Sequence, residues 1–379
     1  MHLVLLSKFR LPPGRASLAL LISLFSGVLL TQQATPSAVA SEGKSPVLYV
    51  GSFDRNLYAV DARTGARIWS FPTGGSVFSS PATEDGLVYV GSDDANVYAL
   101  NADTGARVWR FPTGSAVLSS PAVAGGIVYI ASQDGNLYAL NARDGAMIWK
   151  FTTGRSIESS PTVAGNVVYV GSDDHDVYAL DARTGAEIWK FTTGFLVQSS
   201  PTVAGNVVYV GSDDHDVYAL DARTGAEIWK FTTADGVFSS PTAAGNVVYV
   251  GSRDHNVYAV NARTGTEIWK FRTYDEVLSS PRVVNGVVYV GSDDASVYAL
   301  NARTGTQIWD FLAEDEVTSS PTVANGVVYV GSTDDHVYAL NARTGDEIWQ
   351  FLSGGFVESS PALETNPGFS LGIPGEQHA

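Results

Sequence analysis

The chain has 379 residues, 45% of them hydrophobic and 16% charged, with 38 Gly, 8 Trp, 17 Tyr and no Cys. That composition excludes disorder, a coiled coil, a collagen-like chain, a disulfide scaffold and any thiolate metal site. A formal charge of −16, from 39 acidic and 23 basic residues, lacks the basic footprint that phosphate binding needs, so no nucleic-acid partner is expected.

Residues 1–40 read as a cleaved signal peptide. Lys8, Arg10 and Arg15 precede an apolar run from Leu18 to Leu30, and Ala38-Val39-Ala40 supplies the small residues of a cleavage site. The run is too short to span a bilayer, so no stable membrane insertion is expected after cleavage; an uncleaved anchor is the alternative. Removal takes away three basic and no acidic residues and leaves a mature chain of −19. The expected location is periplasmic or extracellular.

From Tyr49 onward the sequence repeats every forty residues. Trp69, Trp109, Trp149, Trp189, Trp229, Trp269, Trp309 and Trp349 form one series, and Tyr49 to Tyr329, Tyr58 to Tyr338, Phe71 to Phe351 and Pro81 to Pro361 form others at the same step. One unit predicts four strands: Ser159 to Val163, Val167 to Val170, Val177 to Leu180 and Glu187 to Phe191. A Gly-Asn turn, an Asp-Asp-His-Asp turn and a turn through Gly185 separate them. Runs this short and β-branched exclude a helical solenoid. Val167 to Val170 is apolar on both faces, which requires both faces of each sheet to be covered. The pattern predicts an all-β fold, a β-propeller of four-stranded antiparallel blades stacked around an axis.

Proline cannot donate to a ladder, so the Ser-Ser-Pro strand is placed at an edge, innermost near the axis, and the Trp strand outermost. The first unit, at Val47, lacks a Ser-Ser-Pro strand, whereas the repeats end on Ser359-Ser360-Pro361 with none of the other strands after it. The two ends are therefore expected to complete one shared blade, giving eight blades over residues 41–363 and a flexible tail at 364–379.

The segment Ala59-Val60-Asp61-Ala62-Arg63-Thr64-Gly65-Ala66-Arg67-Ile68-Trp69 resembles the docking motif of the pyrroloquinoline-quinone (PQQ) type repeat of the quinoprotein alcohol dehydrogenase-like superfamily. It recurs with Asn101, Asn141, Asp181, Asp221, Asn261, Asn301 and Asn341 at the third position and with Gly105, Gly145, Gly185, Gly225, Gly265, Gly305 and Gly345 in the turn; Asp144 replaces Thr once. Physically, the Asx side chain bonds the turn backbone, the glycine takes positive φ, and the Trp fills the groove between blades. The resemblance implies blade docking, not chemistry.

Two kinds of protein share such repeats. Quinone-dependent dehydrogenases carry PQQ over the axis beside a Trp, often a pair of adjacent Cys, a Ca²⁺ and a catalytic Asp. This chain has no Cys, and every Trp belongs to the docking series. Moreover, Ser159 to Thr193 and Ser199 to Thr233 are identical, so two blades offer the same side chains where an enzyme needs distinct ones. No catalytic residue and no cofactor is assigned. The chain is also similar to periplasmic propeller lipoproteins that help assemble outer-membrane β-barrels, but it lacks their lipid-bearing Cys.

The blades differ mainly in two sets of connections predicted to share one face. The set from 72–78 to 352–358 holds eight acidic and two basic residues, and the set from 53–56 to 333–336 holds fifteen and two. Together they carry the whole −19 of the mature chain, while the other face repeats arginines such as Arg63, Arg183, Arg223 and Arg343. Asp54, Asp94, Asp134, Asp174, Asp214, Asp254, Asp294 and Asp334 are read as turn caps. The Asp-Asp-His-Asp clusters at 173–176 and 213–216 offer ligands to a divalent cation such as Ca²⁺ but lack a metal spacing, so none is assigned. His175, His215, His255 and His336 are read as solvated turn residues. The sequence reading is a monomeric, non-catalytic binding scaffold whose partner is a protein with a basic surface. It would dock through Phe195, Tyr274, Asp275, Glu276, Glu314, Asp315, Glu316, Phe356 and Glu358; Gln198 also sits in this variable set. The alternative is a PQQ-dependent oxidoreductase or a degenerate relative of one.

Overall fold

A computed structural model describes residues 45–364; the expected signal peptide, and the tail from residue 365 on, lie outside the described residues. Every strand described belongs to one of eight four-stranded antiparallel sheets, and none of the described residues is helical. In the fourth blade the strands run Thr162–Ala164, Val167–Gly171, Asp176–Asp181 and Glu187–Thr192 from the axis outward. The chain belongs to the all-β class as an eight-bladed propeller.

The inner strand is shorter than the sequence predicts. It begins after Pro161 and has three residues, because the Ser160 N–H before it bonds around the axis instead of into its own sheet. Ser160 donates its N–H to Ser200 Oγ of the next blade at 3.0 Å, and Ser159 Oγ accepts from Gly171 N at 3.1 Å. The cross-blade bond repeats from Ser80 to Ser120, Ser120 to Ser160, and onward to Ser320 and Ser360. Ser360 N then reaches Ser80 Oγ at 2.9 Å and closes an unbroken circle. The strand Ala362–Glu364 pairs with Val47–Gly51, so the first blade is built from both ends, and its closing strand runs one residue past the expected limit of 363.

The apolar cores lie between blades. Tyr169, Val177, Ala179 and Trp189 of one blade pack on Val208, Val210, Tyr218 and Leu220 of the next, which is why the middle strands are apolar on both faces. A register shift between Ala179 and Leu180 turns the outer strand so that Trp189 faces the following blade. There Trp189 Nε1 donates to the Ala222 carbonyl at 3.0 Å, and Tyr169 donates to the same oxygen at 3.1 Å. Gly225 holds φ +72°, and a Cβ on it would lie 2.7 Å from the Trp189 ring, so both backbone and packing require glycine. The geometry recurs in every blade, and Trp349 onto Gly65 and Ala62 closes it.

Replacing Trp229 by Ala removes a buried ring from such an interface and is expected to cost about 3–5 kcal/mol. The apparently bland neighbour Lys230 is unsuitable as a control, because its Nζ lies 2.8 Å from the buried carboxylate of Asp216. Lys150, exposed in the equivalent strand, is the control, and its Ala variant should stay within about 0.5 kcal/mol of the parent. Denaturant midpoints check this; equal midpoints for the Trp229 and Lys150 variants contradict the interfacial role.

Candidate functional site

The two variable connection sets meet on one face, as backbone bonds show. Asp93 N donates to Ser76 O at 2.9 Å, Asp293 N to Glu276 O at 2.9 Å, and Phe53 N to Phe356 O at 2.9 Å across the closure. The recurring turn aspartate is the hinge of this arrangement. Asp94 Oδ2 accepts from the Gly74 N–H and from the Tyr98 hydroxyl, both at 2.6 Å. Burial alone would raise its carboxyl, yet the bonds from Tyr98, Asn96 and Gly74 hold it below the ordinary carboxylate range. Burial and the same carboxylate push the Tyr98 phenol up to about 12. These aspartates are thus committed to joining turn and connection.

The Asp-Asp-His-Asp clusters are likewise dispersed. Asp174 accepts from Tyr178 at 2.8 Å and Gly154 N at 2.6 Å, and Asp176 binds Lys190 at 2.9 Å together with Thr192. His175 occupies the left-handed turn position at φ +76°. Among the described residues no His, Asp or Glu group has the geometry to hold a metal ion.

The residue preceding each turn aspartate has a different character. Burial, and then the carboxylates of Glu316, Glu276, Asp275 and Glu358, raise Asp293 to about 7; its Oδ1 is enclosed and without a hydrogen-bond partner. Burial raises Asp213 to about 6, with Asp173 and Asp235 adding to the rise while Arg253 and His215 oppose it. Glu358 is raised by burial and by Glu316. Arg253 bridges this ring: its Nε lies 2.9 Å from Glu276 Oε2 and its guanidinium 4.6 Å from the Phe238 ring. On the closure side Phe53 packs at 4.1 Å on Phe78 and 5.7 Å on Phe356.

The expected partner-binding residues therefore fall into two groups. Asp275, Glu276, Glu316 and Glu358 act on Asp293, and Phe356 joins the aromatic cluster at 46% exposure. Tyr274, 89% exposed, Glu314 and Asp315 stand outside on the connections, and Phe195 packs on His175 at 5.4 Å in a different sector. The sequence reading missed Asp293, Arg253, Phe53 and Phe78 as members of the site. Arg253 was legible as the one arginine in a position held elsewhere by Asp, Gln, Thr or Phe. Shallow grooves on the opposite face, such as that of about 460 Å³ lined by Tyr169, Ile188, Val203 and Arg223, repeat between blades and distinguish none of them.

A bound PQQ does not fit these residues. Its carboxylates would meet Asp293, Glu316 and Glu358, and every indole N–H is spent on a neighbouring blade.

A carboxyl raised in the folded state binds its proton more tightly there than in the unfolded chain, so it favours folding at low pH and loses that contribution as pH rises toward the folded value. For Asp293 the window runs from about 4 to about 7. Stability should fall between pH 5 and pH 8, and by less in Asp293→Asn; thermal melts across that range check it, and parallel pH profiles for both proteins contradict it.

A sequence profile of the PQQ-type repeat, described as outer membrane protein assembly factor BamB, matches residues 30–120, 93–211, 173–282 and 253–366. No curated protein matches the chain. Among solved structures, BamB from Moraxella catarrhalis superposes with a TM-score of 0.65 at 23% identity, over 78% of this chain and 88% of that one. The computationally designed protein Ika8 gives 0.71 at 19% identity, over 78% and 93%. A europium-containing methanol dehydrogenase gives 0.66 at 16%, over 77% and 81%. At these identities the likeness is one of fold.

Proposed function

We propose that the chain, which belongs to the repeat family described as outer membrane protein assembly factor BamB, is an exported, non-catalytic scaffold that binds a protein through its acidic connections. The observation that carries this reading is where the repeats diverge. Positions that dock blades are spent in all eight copies, and variation gathers on the connections that carry Glu276, Asp293, Glu316 and Glu358 and the aromatic cluster of Phe53, Phe78 and Phe356. A uniform ring needs neither feature. The family description supports a role beside other proteins, and the misfit of PQQ weighs against the oxidoreductase alternative. Export rests on the signal-like residues 1–40.

A basic partner surface complements this face. Exposed ion pairs contribute only about 0–1 kcal/mol each, so several must act around apolar anchors such as Tyr274 and Phe356. Association should be fast at low salt and slow above ~0.15 M, where the screening length is about 8 Å. Changing Glu314, Asp315 and Glu316 to Gln, Asn and Gln should release partners captured from an extracytoplasmic extract of the source. Changing Arg183, Arg223 and Arg263 to Gln on the opposite face should not. Retention by the acidic variant, or loss by the arginine variant alone, contradicts the assignment.

A further inference from the structure

The outer strand of each blade is an open sheet edge, with a neighbour on its inner side only. Such edges invite pairing with another chain, and proteins commonly blunt them with a cation or a proline. Aligned on the repeat, six of the eight outer strands carry one of these devices. Arg67–Pro72 and Arg107–Pro112 end in proline, and the second also holds Arg110. Lys150, Lys190, Lys230 and Lys270 occupy the same position in the next four. Lys190, Lys230 and Lys270 each lie 6.0 Å from the ring of the tyrosine opposite them on the adjoining inner strand, where Lys190 and Lys230 also pair with Asp176 and Asp216.

The last two outer strands have neither. Gln307–Leu312 carries Asp310, and Glu347–Leu352 carries Gln350, where the others carry a cation or follow with proline. Both end in an aliphatic residue where the other blades have Pro, Thr or Arg, and these are open to solvent: Leu312 is 69% exposed and Leu352 61%. The fold does not need leucine there, since Thr192 and Thr232 serve the identical blades.

We propose that the outer edge of Gln307–Leu312 is a strand-addition site: it takes an extended segment of a partner protein in which basic and aliphatic residues alternate. The backbone supplies the pairing, as the strand's outer N–H and C=O groups have no neighbouring strand. The charge supplies the preference. Residues 307–316 hold Asp310, Glu314, Asp315 and Glu316 and no basic residue, and Asp310 accepts a hydrogen bond from Gln307 of its own strand at 2.6 Å. A guest lysine beside Asp310 would lay its methylenes on Leu312 with its ammonium toward the carboxylates, while the alternate aliphatic residues lie on the side of Phe311. The neighbouring edge Glu347–Leu352 has the same unguarded form but keeps Gln350 in place of the acid.

This inference rests on the acidic-face reading and adds the mode of binding. The test uses a labelled, end-blocked hexapeptide of alternating lysine and valine, and the same peptide with every backbone amide N-methylated, which keeps the charge and abolishes the ladder. The unmethylated peptide should bind the full chain at low salt, and the methylated one should bind about tenfold more weakly or not at all. The double variant Asp310→Lys/Leu312→Thr installs residues that other blades carry at these positions. It should lose the unmethylated peptide by about tenfold while melting like the parent. Equal, salt-sensitive binding of both peptides overturns strand addition and leaves the acidic-face reading standing. Unchanged affinity of the double variant overturns the choice of this edge. Absence of binding by either peptide at low salt overturns both readings together.

Discussion

A ring of repeats is held by one constraint: the eighth interface must be as good as the first seven, because an open ring leaves two core faces and an inner edge in water. The structure meets it by making every interface from the same parts. A Trp and a Tyr donate to one Ala carbonyl of the next blade, a glycine clears space for the indole, and a serine N–H reaches the next serine hydroxyl. The closing copies use Trp349, Tyr329, Ala62, Gly65, Ser360 and Ser80, at distances within a few tenths of an ångström of the others. Sharing the first blade between Val47–Gly51 and Ala362–Glu364 ties the chain ends into that same circle.

Once docking is distributed equally, departures from the repeat carry information. Side chains that hold blades together are excluded from variation by their partners, so what differs must lie on connections, on the axial mouth or on the outer edges. There the molecule is lopsided. Carboxylates from three connections crowd Asp293, an aromatic cluster sits beside the closure, and the unguarded edges belong to the last two blades. The proposed binding through one sector of an otherwise even ring rests on that asymmetry.

The fold was legible because aromatic spacing reports packing directly. Trp, Tyr, Phe and Pro at one step fix blade number and strand order, and the mismatched ends fix closure. The inner strand was over-read because Ser159-Ser160-Pro161 looks like a strand edge locally, while the Ser160 N–H and the Ser159 hydroxyl donate to the neighbouring blade, which no local pattern reveals. The pairing of Lys230 with Asp216 is hidden for a similar reason, since it depends on the register of two strands. At the site, Glu358 and Phe356 were visible as variable residues. Asp293 was hidden, because its raised carboxyl comes from burial and from carboxylates on three separate connections.

Closure is the claim on which both the fold and the placement of the site depend, and deletion of the closing strand tests it most directly. Thermal unfolding and light scattering of a chain ending at residue 353 can be compared with one ending at residue 365, which retains Ala362–Glu364. The shorter chain should melt well below the longer one or aggregate, as its inner edge and aromatic cluster lose their partners. Midpoints within about 2 °C of each other, with both proteins monodisperse, would contradict a ring held shut by its own C-terminal strand.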